Sequence, residues 1–144
     1  MRQTIFRTGL AGLALAAFIA ATPAFAETVN LKAELKGANE VPPVNANGLG
    51  NAIVTYDTAS KKLSWKVTYD GLSGNVTAAH FHGPAATDKN APVVLPFVGN
   101  FASPFEGSAT LTDAQAADIL AGNWYINIHT AENKPGEIRG QVRK

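Results

Sequence analysis

The sequence predicts an all-β fold in which about eight short antiparallel strands and one short helix form a sandwich or a closed barrel. Short segments with alternating apolar and polar residues recur from residue 29 onward, and this period of two is typical of strands that bury one face. Stretches rich in Gly, Pro and Asn separate these segments at short intervals, as the turns of an all-β domain do.

The clearest strand covers residues 63–69, where Leu63 and Trp65 share one face and polar residues occupy the other. Residues 37–50 and 83–92 are predicted loops, because Pro cannot donate to a strand ladder and Gly and Asn favour turns. The other predicted strands cover residues 29–35, 51–56, 76–82, 93–98, 105–111, 124–129 and 137–142.

A single helix is predicted after Leu111. Thr112 and Gln115 have the spacing of a capping box, in which each side chain accepts a hydrogen bond from the other residue's backbone N–H. Ile119 contributes to the apolar face, and Gly122 is a typical C-terminal stop. These local signals predict a helix of about two turns between Thr112 and Gly122.

The N-terminus has the three parts of a secretory signal peptide. Arg2 and Arg7 supply a basic region, residues 10–21 are an uncharged apolar run, and a small-x-small cleavage site follows. We therefore predict that residues 1–26 are a cleaved signal peptide and that residues 27–144 form one domain. Such a domain would be periplasmic or secreted.

Cleavage of the predicted signal peptide changes the charge balance. The full sequence has 12 Lys and Arg against 11 Asp and Glu, and the predicted signal peptide carries two of the basic residues, so ten remain against eleven. No stripe rich in Lys and Arg follows, which argues against a nucleic acid partner. No second apolar segment follows either, so no membrane span is expected.

All three histidines, His80, His82 and His129, lie at the ends of predicted strands. Alternation places His80 and His82 on the face opposite Phe81, and His129 on the face opposite Ile128. If Phe81 and Ile128 face the core, all three imidazoles point away from it. A His-x-His pair on a strand can reach one ion, so the histidines form a candidate metal site. The alternative is three solvent-facing histidines with no shared ligand.

The available ligand types narrow the choice of metal. The sequence has no Cys and its only Met is the initiator, so a thiolate or thioether site for Cu(I) is excluded. Imidazoles completed by a carboxylate or water suit Cu(II) or Zn(II), so a copper or zinc ion is the candidate cofactor. Glu40, Glu106, Glu132 and Glu137 are candidate further ligands or outer partners, and the sequence does not choose among them.

These observations favour non-enzymatic binding, carriage or buffering of a divalent metal. No serine lies in a Gly-x-Ser-x-Gly elbow, and no phosphate-binding loop is present. Two alternatives remain open. One is a protein-interaction or adhesion module that uses loops 37–50 and 83–92, and the other is a metal-dependent enzyme with Glu40 or Glu137 as base. Glu137 and Arg139 share a strand face and could otherwise pair with each other or with a loop, and of these a surface ion pair is expected.

Six separated motifs span residues 35–141. They are Leu35-x-Gly37-x-x-Glu40-Val41-Pro42-Pro43, Gly71-Leu72-Ser73-Gly74, Ala78-Ala79-His80-Phe81-His82-Gly83-Pro84-Ala85, Leu111-Thr112-Asp113-Ala114-Gln115, Ile128-His129-Thr130-Ala131 and Gly136-Glu137-Ile138-Arg139-Gly140-Gln141. In content and order they resemble the CHRD domain, which is named for chordin, an animal signalling antagonist, and which also occurs in many microbial exported proteins. The resemblance covers essentially all of residues 27–144.

The resemblance to the CHRD domain implies a Greek-key, immunoglobulin-like β-sandwich, in agreement with the strand count, and it implies no defined activity. The His-x-His strand is also similar to the copper site of copper/zinc superoxide dismutases. That site uses more histidines than this chain contains, so dismutase activity is not expected.

Overall fold

The computed structural model describes residues 26–144, so the predicted signal peptide lies outside the described residues apart from its last residue. The described chain forms eight strands, a 3-10 turn at Gly37–Asn39 and one helix, α1, at Asp113–Leu120. The strands are β1 (Thr28–Lys36), β2 (Leu49–Asp57), β3 (Lys62–Asp70), β4 (Val76–His82), β5 (Val93–Pro96), β6 (Phe105–Thr110), β7 (Tyr125–Thr130) and β8 (Ile138–Gln141). The predicted strand ends agree with these bounds to within two residues.

All strand pairs are antiparallel, and the eight strands form one sheet in the order β5-β4-β7-β8-β1-β2-β3-β6. This sheet curls into a half-barrel. The prediction of an antiparallel all-β fold with about eight strands and one helix is therefore confirmed. The finer prediction, a Greek-key sandwich of two separate sheets, is not confirmed, because one continuous sheet contains every strand.

A narrow seam between β1 and β8 joins the two four-stranded halves of the sheet. Only Lys36 and Arg139 pair across this seam within the named strands, and an isolated bridge joins Lys32 to Arg143. In contrast, β1 and β2 pair along their whole length. Because the seam is short, the halves can fold toward each other and enclose a common core.

Aromatic side chains fill the space between the two halves. Trp65 on β3 lies edge-on to Phe81 on β4 with ring centroids 5.3 Å apart, and it stacks on Phe97 at 4.9 Å. Such pairs add to the free energy gained from burial alone. The alternating residues predicted to face inward form the rest of the core, which includes Leu31, Leu35, Val54, Leu63, Val67, Ile126, Ile128 and Ile138.

The helix begins with the predicted capping box. Thr112 Oγ1 accepts a hydrogen bond from the backbone N–H of Gln115 at 3.2 Å, and Gln115 Oε1 accepts one from the backbone N–H of Thr112 at 2.9 Å. Ile119 is fully buried and anchors the apolar face of α1 on the core. Within residues 26–144, no helix has the length and apolar character needed to cross a membrane.

Two loops cover the outer face of β4, β7 and β8. Asn90, in the loop after β4, donates a hydrogen bond from Nδ2 to the carbonyl oxygen of Val41 at 2.8 Å. Arg139 on β8 donates to the carbonyl oxygens of Thr87 at 3.1 Å and Lys89 at 2.7 Å. Loops 37–50 and 83–92, which the sequence offers as a partner-binding surface, are therefore bound to each other and to the sheet. They bury polar side chains of the sheet beneath them.

Candidate metal centre

Two neighbouring strands place the three histidines on the outer face of the sheet. On β4, Phe81 is fully buried in the core, so His80 and His82 on either side of it point outward. On β7, Ile128 is fully buried, so the next residue, His129, points outward as well. Because β4 and β7 pair directly, the three imidazoles meet on one face.

The three imidazoles are close enough to share one ion. One nitrogen of each ring lies within 4.8 Å of the corresponding nitrogens of the other two. Nδ1 of His80 is 3.2 Å from Nε2 of His129. Two nitrogens bound tetrahedrally to one Zn²⁺ are expected to lie roughly 3.3 Å apart.

His82 lies farther from the other two histidines than those two lie from each other. Its ring centroid is 5.4 Å from that of His80 and 6.2 Å from that of His129. The His80 and His129 centroids are 5.0 Å apart. A small movement of the His82 ring toward the other two rings would therefore complete a three-nitrogen site.

Backbone carbonyl groups fix the tautomers of two histidines. Nδ1 of His82 lies 2.9 Å from the carbonyl oxygen of Ala91, and Nδ1 of His129 lies 2.8 Å from that of Lys134. Because a carbonyl oxygen only accepts, each Nδ1 carries a proton and each Nε2 presents a lone pair. Nε2 of His82 is buried and has no hydrogen-bond partner among the described residues. Metal-binding histidines typically donate their other N–H to an oxygen in this way.

Burial favours the neutral form of His80 and His82. Burial, together with the nearby His129 and His82, lowers the pKa of His80 from 6.5 to about 4. Burial also lowers the pKa of His82, against the hydrogen bond with Ala91, which raises it. Neutral imidazole is the form that binds a metal, so these two side chains are ready to coordinate near neutral pH.

A stack of three side chains fixes the orientation of His82. Its ring is parallel to that of Tyr125, with an interplanar angle of 2° and centroids 4.9 Å apart. Arg139 on β8, the strand on the other side of β7, completes the stack. Its guanidinium carbon lies 3.5 Å from the centroid of the Tyr125 ring. The Tyr125 hydroxyl accepts a hydrogen bond from the backbone N–H of Ala91 at 3.1 Å, so it also positions the carbonyl that holds His82.

Four carboxylates are candidate further ligands, but none of them lies in the candidate metal-binding group. Within residues 26–144 that group contains histidines only. Glu106 pairs with Lys66 at 3.0 Å, and Glu132 is exposed. Glu40 and Glu137 are buried and accept hydrogen bonds elsewhere. A metal held by the three histidines would therefore take its fourth ligand from water or another molecule.

The surface ion pair expected between Glu137 and Arg139 is wrong, because both side chains are buried and they bind different partners. Glu137 accepts hydrogen bonds from the backbone N–H of Ser73 at 2.7 Å, and from the side chains of Ser73 at 2.6 Å, Thr130 at 2.6 Å and Asn133 at 3.2 Å. Glu137 lies just before β8, where strand alternation no longer indicates which way a side chain points.

A cleft of about 330 Å³ opens beside the histidine cluster. At its inner end Glu40 Oε2 accepts a hydrogen bond from Asn127 Nδ2 at 3.1 Å. Burial raises the pKa of Glu40 to about 7, against Arg139 and the Asn127 hydrogen bond, which lower it. The cleft is lined by Glu40, Val41, Pro42, Pro43, Val44, His82, Asn90, Ala91, Tyr125, Asn127, Asn133, Pro135 and Gly136.

Comparison with known proteins identifies the family of this domain. The family model described as the CHRD domain matches residues 31–142, a range that includes all three histidines and both buried carboxylates. No curated protein and no solved structure matches the chain significantly. The matched range covers most of the sequence and confirms the resemblance seen in the six motifs. The chain therefore belongs to the CHRD domain family.

Proposed function

We propose that this protein is an exported, non-enzymatic CHRD-domain protein that binds Cu(II) or Zn(II) through His80, His82 and His129. The tautomer arrangement carries the proposal, because two of the imidazoles donate Nδ1–H to carbonyl oxygens and present Nε2 lone pairs on one face. A buried imidazole nitrogen without a partner is costly unless a ligand satisfies it. A bound ion would provide that partner.

The chemistry of the site favours copper over zinc. Imidazole sites follow the usual affinity order for divalent metals, in which Cu²⁺ binds more tightly than Zn²⁺. The site contains three imidazoles and no carboxylate among the described residues, so it resembles neither an oxygen-rich site for Ca²⁺ nor one for Mg²⁺. Calorimetry is therefore expected to give a higher affinity for Cu(II) than for Zn(II).

CHRD domains are typically extracellular. Together with the predicted signal peptide, this supports a role in the periplasm or outside the cell, where the domain would carry or buffer the metal. We propose binding rather than catalysis, because a metal-dependent enzyme needs a base close to the metal-bound water. Both oxygens of Glu137 are engaged in hydrogen bonds, and Glu40 is not part of the histidine cluster.

The proposal is tested by calorimetric titration of Cu(II) and Zn(II) into untagged residues 27–144, beside a His80→Ala/His82→Ala variant. We expect one-to-one binding that is lost in the double variant. A Glu106→Gln variant is the matched control, because this exposed carboxylate lies outside the cluster and its loss is expected to leave affinity unchanged. Weak binding, or binding that survives in the double variant, would refute the site and favour a metal-free interaction module.

A further inference from the structure

The two edge strands of the sheet differ in how well they are protected from pairing with another chain. β5 forms one edge and β6 forms the other. β5 follows Pro92 and ends at Pro96, and its register with β4 shifts between Phe81 and His82. Proline and register shifts of this kind block further pairing at a sheet edge. β6 contains no proline and pairs with β3 in one unbroken register, so it is the open edge.

The hydrogen-bond phase of β6 determines which of its backbone groups face away from the sheet. Leu111, directly after β6, donates its backbone N–H to the carbonyl oxygen of Lys61 at 2.9 Å. Bonded and non-bonded residue pairs alternate along an antiparallel ladder, so Gly107 bonds to β3 and its two neighbours turn their N–H and C=O groups outward. No other strand within residues 26–144 pairs with this edge. The residues with outward backbone groups are all exposed, and they are Glu106, Ser108 and Thr110.

These three residues are complementary to the same three residues of a second copy. If a two-fold axis passes between the Ser108 residues of two copies, Glu106 of each copy lies opposite Thr110 of the other, and about six backbone hydrogen bonds form. No like charges then lie opposite each other, whereas a register that placed Glu106 opposite Glu106 would be destabilised. On the inner side of the sheet, Gly107 of each copy would lie opposite Ala109 of the other, so only small residues meet.

The side chains of β6 favour a second copy over a strand of a different protein. Proteins that bind a foreign strand at a sheet edge take their specificity from pockets for alternate side chains. On the inner side of β6 the ring of Trp65 fills the space over Gly107, where a Cβ atom would collide with it. Glu106 carries the only charge in β6, and Lys66 balances it at 3.0 Å. The edge therefore does not repel a second copy of itself.

We propose that two copies of this protein pair through β6 in an antiparallel register, with Ser108 facing Ser108 across a two-fold axis. The sheet of each copy would continue into the sheet of the other. The histidine cluster lies on β4 and β7, in the half of the sheet that does not contain β6, so pairing would leave it uncovered. This inference does not depend on metal binding.

The test measures the association of the protein in solution, purified after expression of the full chain and treated with a chelator so that no metal bridges two copies. Pairing along the six residues of β6 is a small interface, so sedimentation velocity is expected to give a dimer with a dissociation constant on the order of 100 µM. At millimolar concentration, amide exchange at Glu106, Ser108 and Thr110 is expected to slow about fivefold relative to dilute protein, whereas the Gly107 amide is protected at both concentrations.

Charged substitutions test the register. Thr110→Lys places a cation opposite Glu106 of the other copy and is expected to tighten the dimer about threefold, and Thr110→Glu is expected to weaken it by a similar factor. Ser108→Lys and Ser108→Glu both place equal charges opposite each other at the axis, so both are expected to weaken it about tenfold. Thr68→Lys and Thr68→Glu are the matched controls, because this exposed threonine lies on β3, away from the edge, and they are expected to change nothing.

Two results would overturn the proposal. A protein that stays monomeric at every concentration would leave the edge to a strand of another protein. A dimer whose affinity changes in the same direction with either charge at position 110 would exclude this register. The amide exchange measurement needs no variant to fold.

Discussion

Replacing Glu137 with Gln is expected to lower the free energy of unfolding by about 3 kcal/mol. The side chain is fully buried, and its two oxygens accept four hydrogen bonds from Ser73, Thr130 and Asn133. These bonds attach the turn after β3 to the turn between β7 and β8. Glu137 therefore adds side-chain bonds at the place where the pairing of Val76 with Thr130 already brings the two turns together.

The expected magnitude follows from the donors that Gln cannot satisfy. The amide oxygen of Gln can still accept from the backbone N–H of Ser73, but its NH₂ group then faces Nδ2 of Asn133, which is also a donor. Hydrogen bonds to a charged group contribute about 1.5–3 kcal/mol each, and a buried donor left without a partner costs about 1–3 kcal/mol. Rotation of the Ser73 and Thr130 hydroxyl groups recovers part of the loss, which gives about 3 kcal/mol.

Urea unfolding monitored by tryptophan fluorescence measures the effect, because Trp65 and Trp124 are both buried in the native state. Glu106→Gln is the matched control. Its carboxylate is exposed and pairs only with Lys66, so we expect a loss below about 1 kcal/mol. A Glu137→Gln variant within about 0.5 kcal/mol of the native protein would refute the reasoning.

The same substitution gives a pH signature. Burial raises the pKa of Glu137, but the hydrogen bonds from Ser73, Thr130 and Asn133 outweigh it and hold the pKa below its ordinary value of 4.5. The carboxylate therefore stabilises the fold above about pH 4.5, and this stabilisation is lost as the pH falls through the lower folded-state pKa. The difference in stability between the native protein and Glu137→Gln is expected to shrink in the same range.

Three further predictions concern the helix cap and the histidine cluster. Thr112→Ala removes the capping hydrogen bond and is expected to cost about 1 kcal/mol in urea unfolding, and an unchanged midpoint would contradict a stabilising cap. Tyr125→Phe keeps the stacked ring but loses the hydroxyl contact with Ala91, so calorimetry is expected to show about tenfold weaker Cu(II) binding, and unchanged affinity would rule out this positioning role. Metal-free protein is expected to lose stability as the pH falls from 6.5 toward about 4, because His80 takes up its proton at a higher pH in the unfolded chain than in the folded chain. A His80→Ala variant whose stability falls equally steeply over this pH range would contradict this.

The sequence by itself determined the features that depend on neighbouring residues. Alternation along one strand placed Phe81 and Ile128 in the core and therefore His80 and His129 on the outer face, as the structure confirms. The capping box at Thr112 likewise depends on residues within one helical turn. Side-chain direction in a strand and hydrogen bonding at a helix end are local properties, so a single sequence is enough to predict them.

Only the tertiary structure decided which distant residues meet. His80 and His129 are 49 positions apart, and they share a site only because β4 pairs with β7. The strand pattern indicates faces but not partners, so it predicted neither this pairing nor the seam at β1 and β8 that makes one curled sheet. Glu137 and Arg139 are charged residues of the kind usually found at the surface, yet loops from elsewhere in the chain cover them. Burial of a charged side chain depends on the hydrogen-bond partners that the whole fold brings to it, and those partners lie far away in sequence.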